Sequence, residues 1–67
     1  MSTLGTALPR EMARVRDDVL PYYTTEEGGQ FAATMMRADL DAAAKALAEG
    51  DVVAMLRVYE SLKGWQV

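Results

Sequence analysis

The chain contains no cysteine and no histidine. Without cysteine no disulfide can reinforce a weak core. Without either residue the ordinary zinc sites are excluded, and the commonest general base is missing too. Aromatic residues are few, with one Trp, one Phe and three Tyr. No apolar run approaches the roughly 20 residues of a membrane span. The opening MSTLGTALPRE has neither the basic nor the apolar region of a secretory signal, so the expectation is a soluble cytoplasmic protein. Positive charge is in deficit: the net charge is -3 and the sequence pI about 4.7. That argues against a nucleic-acid partner bound through phosphate contacts.

What is present is hydrophobicity in a short chain. The 67 residues allow one domain, and 51% of them are apolar. A domain this short buries only about 60% of its unfolded surface. So high an apolar content implies very efficient helix packing or association with another chain.

The segment FAATMMRADLDAAAKALAEG, residues 31–50, is the longest helical pattern, and the rest is organised around it. At about 100° per residue, Ala32, Ala33, Met36, Leu40, Ala43, Ala44 and Leu47 gather on one side. Phe31, Met35, Ala38, Ala42 and Ala46 gather nearly opposite. Thr34, Arg37, Asp41 and Lys45 fill one flank, and Asp39 marks the other. An edge helix needs one apolar stripe, so a second stripe needs a second cover. High alanine content can reflect helix propensity alone. An exposed Phe-Met pair is less easily explained that way. Phe31, Met35, Ala38, Asp39, Ala42 and Ala46 are therefore the candidate interface. The alanines, recurring every four residues, would let a second helix approach closely.

Around this helix the chain divides as follows. Residues 1–6 read as a loose leader. Thr6 is an expected N-cap for a helix over 7–20, with Pro9 tolerated in its first turn. Leu8, Met12, Val15 and Val19 make a narrow seam suited to one partner helix. Arg10, Arg14 and Arg16 are interleaved with Glu11, Asp17 and Asp18, which describes a solvated face with weak pairs such as Glu11–Arg14 and Arg14–Asp18. Pro21 should end or kink this helix.

Two adjacent tyrosines follow, Tyr22 and Tyr23. One should cover the end of the core with its hydroxyl wet, leaving the other available to a partner. TTEEGG is the turn, with Thr24 and Glu27 at capping-box spacing. The second helix is placed at 26–49, with fraying at Gly28 and Gly29 or a true start near Gln30. The glycine pair lacks the lysine and preceding strand of a phosphate loop. Gly50 suits a left-handed C′ position and Asp51 an N-cap. A third helix over 51–63 then forms an αα-hairpin with the second. Val52, Met55, Leu56, Val58, Tyr59 and Leu62 form its apolar face, with Arg57, Glu60 and Ser61 outward. Residues 64–67 are a tail, whose Trp65 either folds back onto the hairpin or anchors another chain.

The segment ALAEGDVVAMLRVYESLKG resembles the helix-turn-helix junction of a tetratricopeptide repeat. It occurs once where a solenoid needs about three copies, so it supports the hairpin alone. LPREMARVRDDVLPYY and GDVVAMLRVYESLKG together resemble short helical accessory proteins encoded in phages and prophages of Gram-negative bacteria. That resemblance implies a protein that binds and disables a host factor. It transfers no functional residue.

The expectation is an all-α, three-helix domain with a C-terminal αα-hairpin, assembled as a homodimer. Its expected function is that of a non-enzymatic interaction module with itself and an unidentified protein as partners. No catalytic residue, metal or cofactor is expected. Tyr22, Tyr23 and Trp65 are candidate partner contacts. The alternative is a binder of a nucleotide signal, with those aromatics stacking on a base and Arg37 or Lys45 near a phosphate. A DNA-binding reading of the last helix is weakened by the acidic Glu60 beside Arg57. An enzyme is disfavoured because Asp39 and Asp41, two residues apart, do not face each other on a helix.

Overall fold

The structure is a computed structural model and describes residues 3–67. It is all-α, with three helical rods and, among the described residues, no strand. The first rod comprises α1 (Leu4–Arg14), a π-helical turn (Val15–Val19) and α2 (Leu20–Thr25). The second is α3 (Gln30–Glu49) and the third α4 (Val52–Lys63).

The first helix begins earlier than its pattern suggests. Of the expected leader, Met1 and Ser2 lie outside the described residues, while Leu4–Thr6 are helical. Leu4 packs against the core one turn before the fully buried Leu8, and that contact extends the helix toward the N-terminus. The N-cap is Thr3, not Thr6. Its carbonyl accepts from the amides of Thr6 at 3.0 Å and Ala7 at 2.7 Å. Pro9 consequently lies beyond the first turn.

Nor does the rod stop at Pro21. A proline inside a helix removes one hydrogen bond and crowds the carbonyl four residues back. Here the π turn just before it absorbs the conflict, with the Leu20 amide donating to the Val15 carbonyl. A π-bulge is one of the few ways a helix changes course without ending. The helix then closes at Thr25 with its own side chains. The Thr24 and Thr25 hydroxyls donate to Pro21 O at 2.9 and 3.2 Å, and Thr25 also reaches Tyr22 O at 2.9 Å. Thr24 is thereby engaged inside α2, and no Thr24–Glu27 capping box forms.

Consequently α3 starts at Gln30 and not at residue 26. Gly28 has φ 84°, outside the helical region, and Gly29 is buried as the N-cap. At the other end Gly50 is left-handed at φ 66°. The Asp51 amide donates to Ala46 O at 3.0 Å and the Gly50 amide to Leu47 O at 3.3 Å, which is a Schellman closure. Asp51 itself lies outside α4 and caps it, accepting from the Ala54 amide at 3.1 Å.

The core joins one face from each rod: Leu8, Val15 and Val19; Ala33, Met36, Ala43 and Ala46; Met55, Val58 and Leu62. Val52 and Leu56, assigned to the apolar face of α4 by periodicity, are exposed. Arg14 ties the first rod to the third. It pairs with Glu11 at 2.6 Å and donates to Leu62 O at 3.1 Å, at the carbonyl-rich end of α4, where a cation is favoured by the helix dipole. The domain measures 37 × 22 × 15 Å. Among the described residues none is packed over the outer face of α3, where Phe31, Met35, Ala38 and Ala42 are exposed.

Candidate interaction surface

The two faces of α3 have different fates. Ala33, Met36 and Ala43 are buried, with Ala32, Leu40 and Leu47 packed beside them. Opposite, Phe31 is 78% exposed and Met35 44% exposed, and Ala38 and Ala42 are exposed as well. Nothing among the described residues covers this second stripe. Ala46 is the exception. It is buried in the core cluster, because it lies on the edge of the stripe that turns toward the hairpin partner. It is removed from the candidate interface.

Asp39 also has an internal role. Its Oδ2 accepts from the Trp65 indole Nε1 and from the Ser61 hydroxyl, both at 2.8 Å. One carboxylate oxygen thus fastens the C-terminal tail and α4 to the middle of α3. Charge-assisted bonds of this kind are stronger than neutral ones. Trp65 is half-buried against the core, so it folds back on the hairpin. Replacing Asp39 with Ala should lower stability by about 1–2 kcal/mol and move Trp65 emission to longer wavelength as the indole enters water. Unchanged emission would show that the indole is held by packing alone.

The tyrosines divide their roles. Tyr23 packs on the core and donates its hydroxyl to Gln66 O at 3.0 Å. Tyr22 is exposed and stands edge-on to Tyr23 at 5.3 Å. Of the three aromatic partner-contact candidates, Tyr22 alone is free on the surface. The groups considered for a nucleotide do not converge. Trp65 and Tyr23 are bound internally, and Arg37, two residues from Asp39, points nearly opposite to the indole side of α3.

Beside the bare stripe lies a feature that periodicity does not reveal. A shallow groove of about 450 Å³ runs between α3 and α4, lined by Asp39, Ala42, Val53, Ala54, Arg57 and Ser61 among others. Its walls are mainly small and apolar. The clue in the sequence is Asp39, the one polar residue on that flank of α3. Its partners Ser61 and Trp65 are identifiable only once the hairpin register is known. Arg16 holds the Asp17 carboxyl below its usual range, chiefly through their side-chain hydrogen bond, and its own pKa is raised by the same bond. Both side chains are exposed and lie away from the groove. Among the described residues no group of three or more Asp or Glu is placed to hold a metal ion, and no helix is long and apolar enough to cross a membrane.

The fold and surface define a class: a small all-helical domain with one helix face uncovered beside a shallow apolar groove. Comparison with family models, with curated proteins and with solved structures yields no match.

Proposed function

We propose that this chain is a non-enzymatic protein–protein interaction module that works as a homodimer and binds a further protein partner. The observation that carries the reading is Phe31, a large apolar ring left 78% exposed at the start of the longest helix, with Met35 beside it on the same strip. Burying such residues removes apolar area from water at roughly 25 cal/mol per Å². Contiguous exposed apolar patches of this kind mark interaction sites. A chain of 67 residues gains more than a large one from covering such a patch, because its own core is small. The resemblance to phage-encoded helical proteins adds a role: a cytoplasmic accessory protein that binds and inhibits or modulates a host protein.

Ala42→Glu tests the association. A carboxylate placed in the exposed strip would be desolvated in any subunit contact there, at a cost of several kcal/mol if unpaired. The variant is expected to sediment as a monomer while its helix content stays unchanged. Sedimentation identical to the parent would remove this face as a subunit contact. Affinity capture from the host, compared between parent and variant, then asks whether the same face meets the second partner.

A further inference from the structure

The enclosed core lies wholly outside α2. Leu8 and Val15 belong to the first rod before Pro21, Met36 and Ala43 to α3, and Val58 and Leu62 to α4, while no residue of α2 is buried. Leu20 and Tyr23 are only partly buried where they pack on that core. The helices α1, α3 and α4 meet one another directly, and α2 rests on α3 and on the π turn. Segments with few buried apolar contacts are the ones that open at low free energy.

Both ends of α2 are joints. At its start the π turn interrupts the regular ladder, and Pro21 has no N–H to add to it. Beyond its end Gly28 is left-handed at φ 84°, in a place where an added methyl group would meet nothing within 4 Å. A few residues at element ends can take up the backbone rotation of a hinge. Between the joints α2 holds its own shape, because the Thr24 and Thr25 hydroxyls bond to carbonyls within it.

One side-chain bond fastens it down. Among the described residues, Tyr23 makes the one side-chain hydrogen bond from α2 to another part of the chain, donating to Gln66 O at 3.0 Å. Gln66 follows Trp65, whose indole is held by Asp39 of α3 at 2.8 Å. The fastening therefore runs from α2 through the C-terminal tail to α3.

We propose that α2 is a flap. It swings as a unit about the π turn and Gly28 once Tyr23 leaves Gln66, while α1, α3 and α4 stay packed. Opening lifts the Tyr23 ring off the core and presents it with Tyr22, which is exposed already. The device needs no second chain, so it stands or falls apart from the homodimer reading.

Hydrogen exchange under native conditions, resolved amide by amide by NMR on the full chain, tests the flap. In the parent, the α2 amides share one opening equilibrium. Its urea dependence is shallower than that of the core amides in α3 and α4, because less surface is exposed. Tyr23→Phe deletes the hydroxyl alone and should speed α2 exchange about two- to tenfold. Val58→Ala weakens a buried contact that the opened form retains. It should speed exchange in α3 and α4 at least about fivefold and leave α2 unchanged. Acceleration of α2 by Val58→Ala to the same extent as α4, or one urea dependence for all three helices, means that α2 opens only with the whole domain and overturns the flap. Unchanged α2 exchange in Tyr23→Phe overturns the latch.

Discussion

Gly29→Ala is expected to lower stability by about 3 kcal/mol, the upper end of the usual overpacking range. Gly29 is buried where the N-terminus of α3 passes under the end of α2. A Cβ there would overlap the Tyr23 carbonyl oxygen, and would stand 3.0 Å from the Tyr23 carbonyl carbon and 3.2 Å from Glu26 O. Those are backbone atoms, so no rotamer change relieves the contact, and the two rods must move apart. In a domain of this size each kcal/mol shifts Tm by roughly 4–8 °C, which places the variant about 12–24 °C below the parent. Gly28→Ala is the control. Gly28 has φ 84°, and a methyl group added there would meet nothing within 4 Å. Its cost is therefore conformational and about 1 kcal/mol. Equal melting temperatures for the two variants would mean that close approach at Gly29 does not hold the rods together.

The second large effect separates two adjacent residues. Met36 is fully buried in the core, and Met35 is 44% exposed on the opposite face. Met36→Ala should cost about 2–5 kcal/mol, the sum of lost transfer energy and the cavity left behind. Met35→Ala should change the stability of the isolated domain by less than about 1 kcal/mol, since surface substitutions usually have small effects. Its effect should emerge instead as weaker association. Denaturant unfolding at two protein concentrations separates the terms. The Met36→Ala loss persists at the lower concentration, whereas under the proposed homodimer the Met35→Ala loss is confined to the higher, where association would add to stability. A Met35→Ala loss independent of concentration would place that side chain in the folding core.

The helix periodicity is legible in the sequence because it depends on local spacing. The hairpin of α3 and α4 follows from Gly50 and Asp51, whose left-handed and capping preferences act within a few residues. The two faces of α3 follow from the placement of Phe31, Met35 and Met36 on a regular helix, and the seam Leu8–Met12–Val15–Val19 from the same rule. Boundaries that depend on distant contacts are not legible. Leu4 extends α1 because a core lies beside it, and the first rod survives Pro21 because a π turn takes up the conflict. Gly29 reads as a flexible glycine in the sequence, and its role depends on the Tyr23 carbonyl six residues earlier folding back over it.

The candidate surface divides in the same way. That α3 has more apolar circumference than one neighbour can cover is written in its residue pattern. Which of those residues stay bare depends on how closely α4 approaches. Ala46 falls inside that contact and Ala42 at its edge, one turn apart on the same strip. Asp39 is visibly polar on an apolar flank, but its bonds to Ser61 and Trp65 require the chain to turn at Gly50 and return. Local propensities act over a turn of helix and are carried by short stretches of sequence. Burial and long-range hydrogen bonds are properties of pairs of elements, and they exist only after the rods have packed.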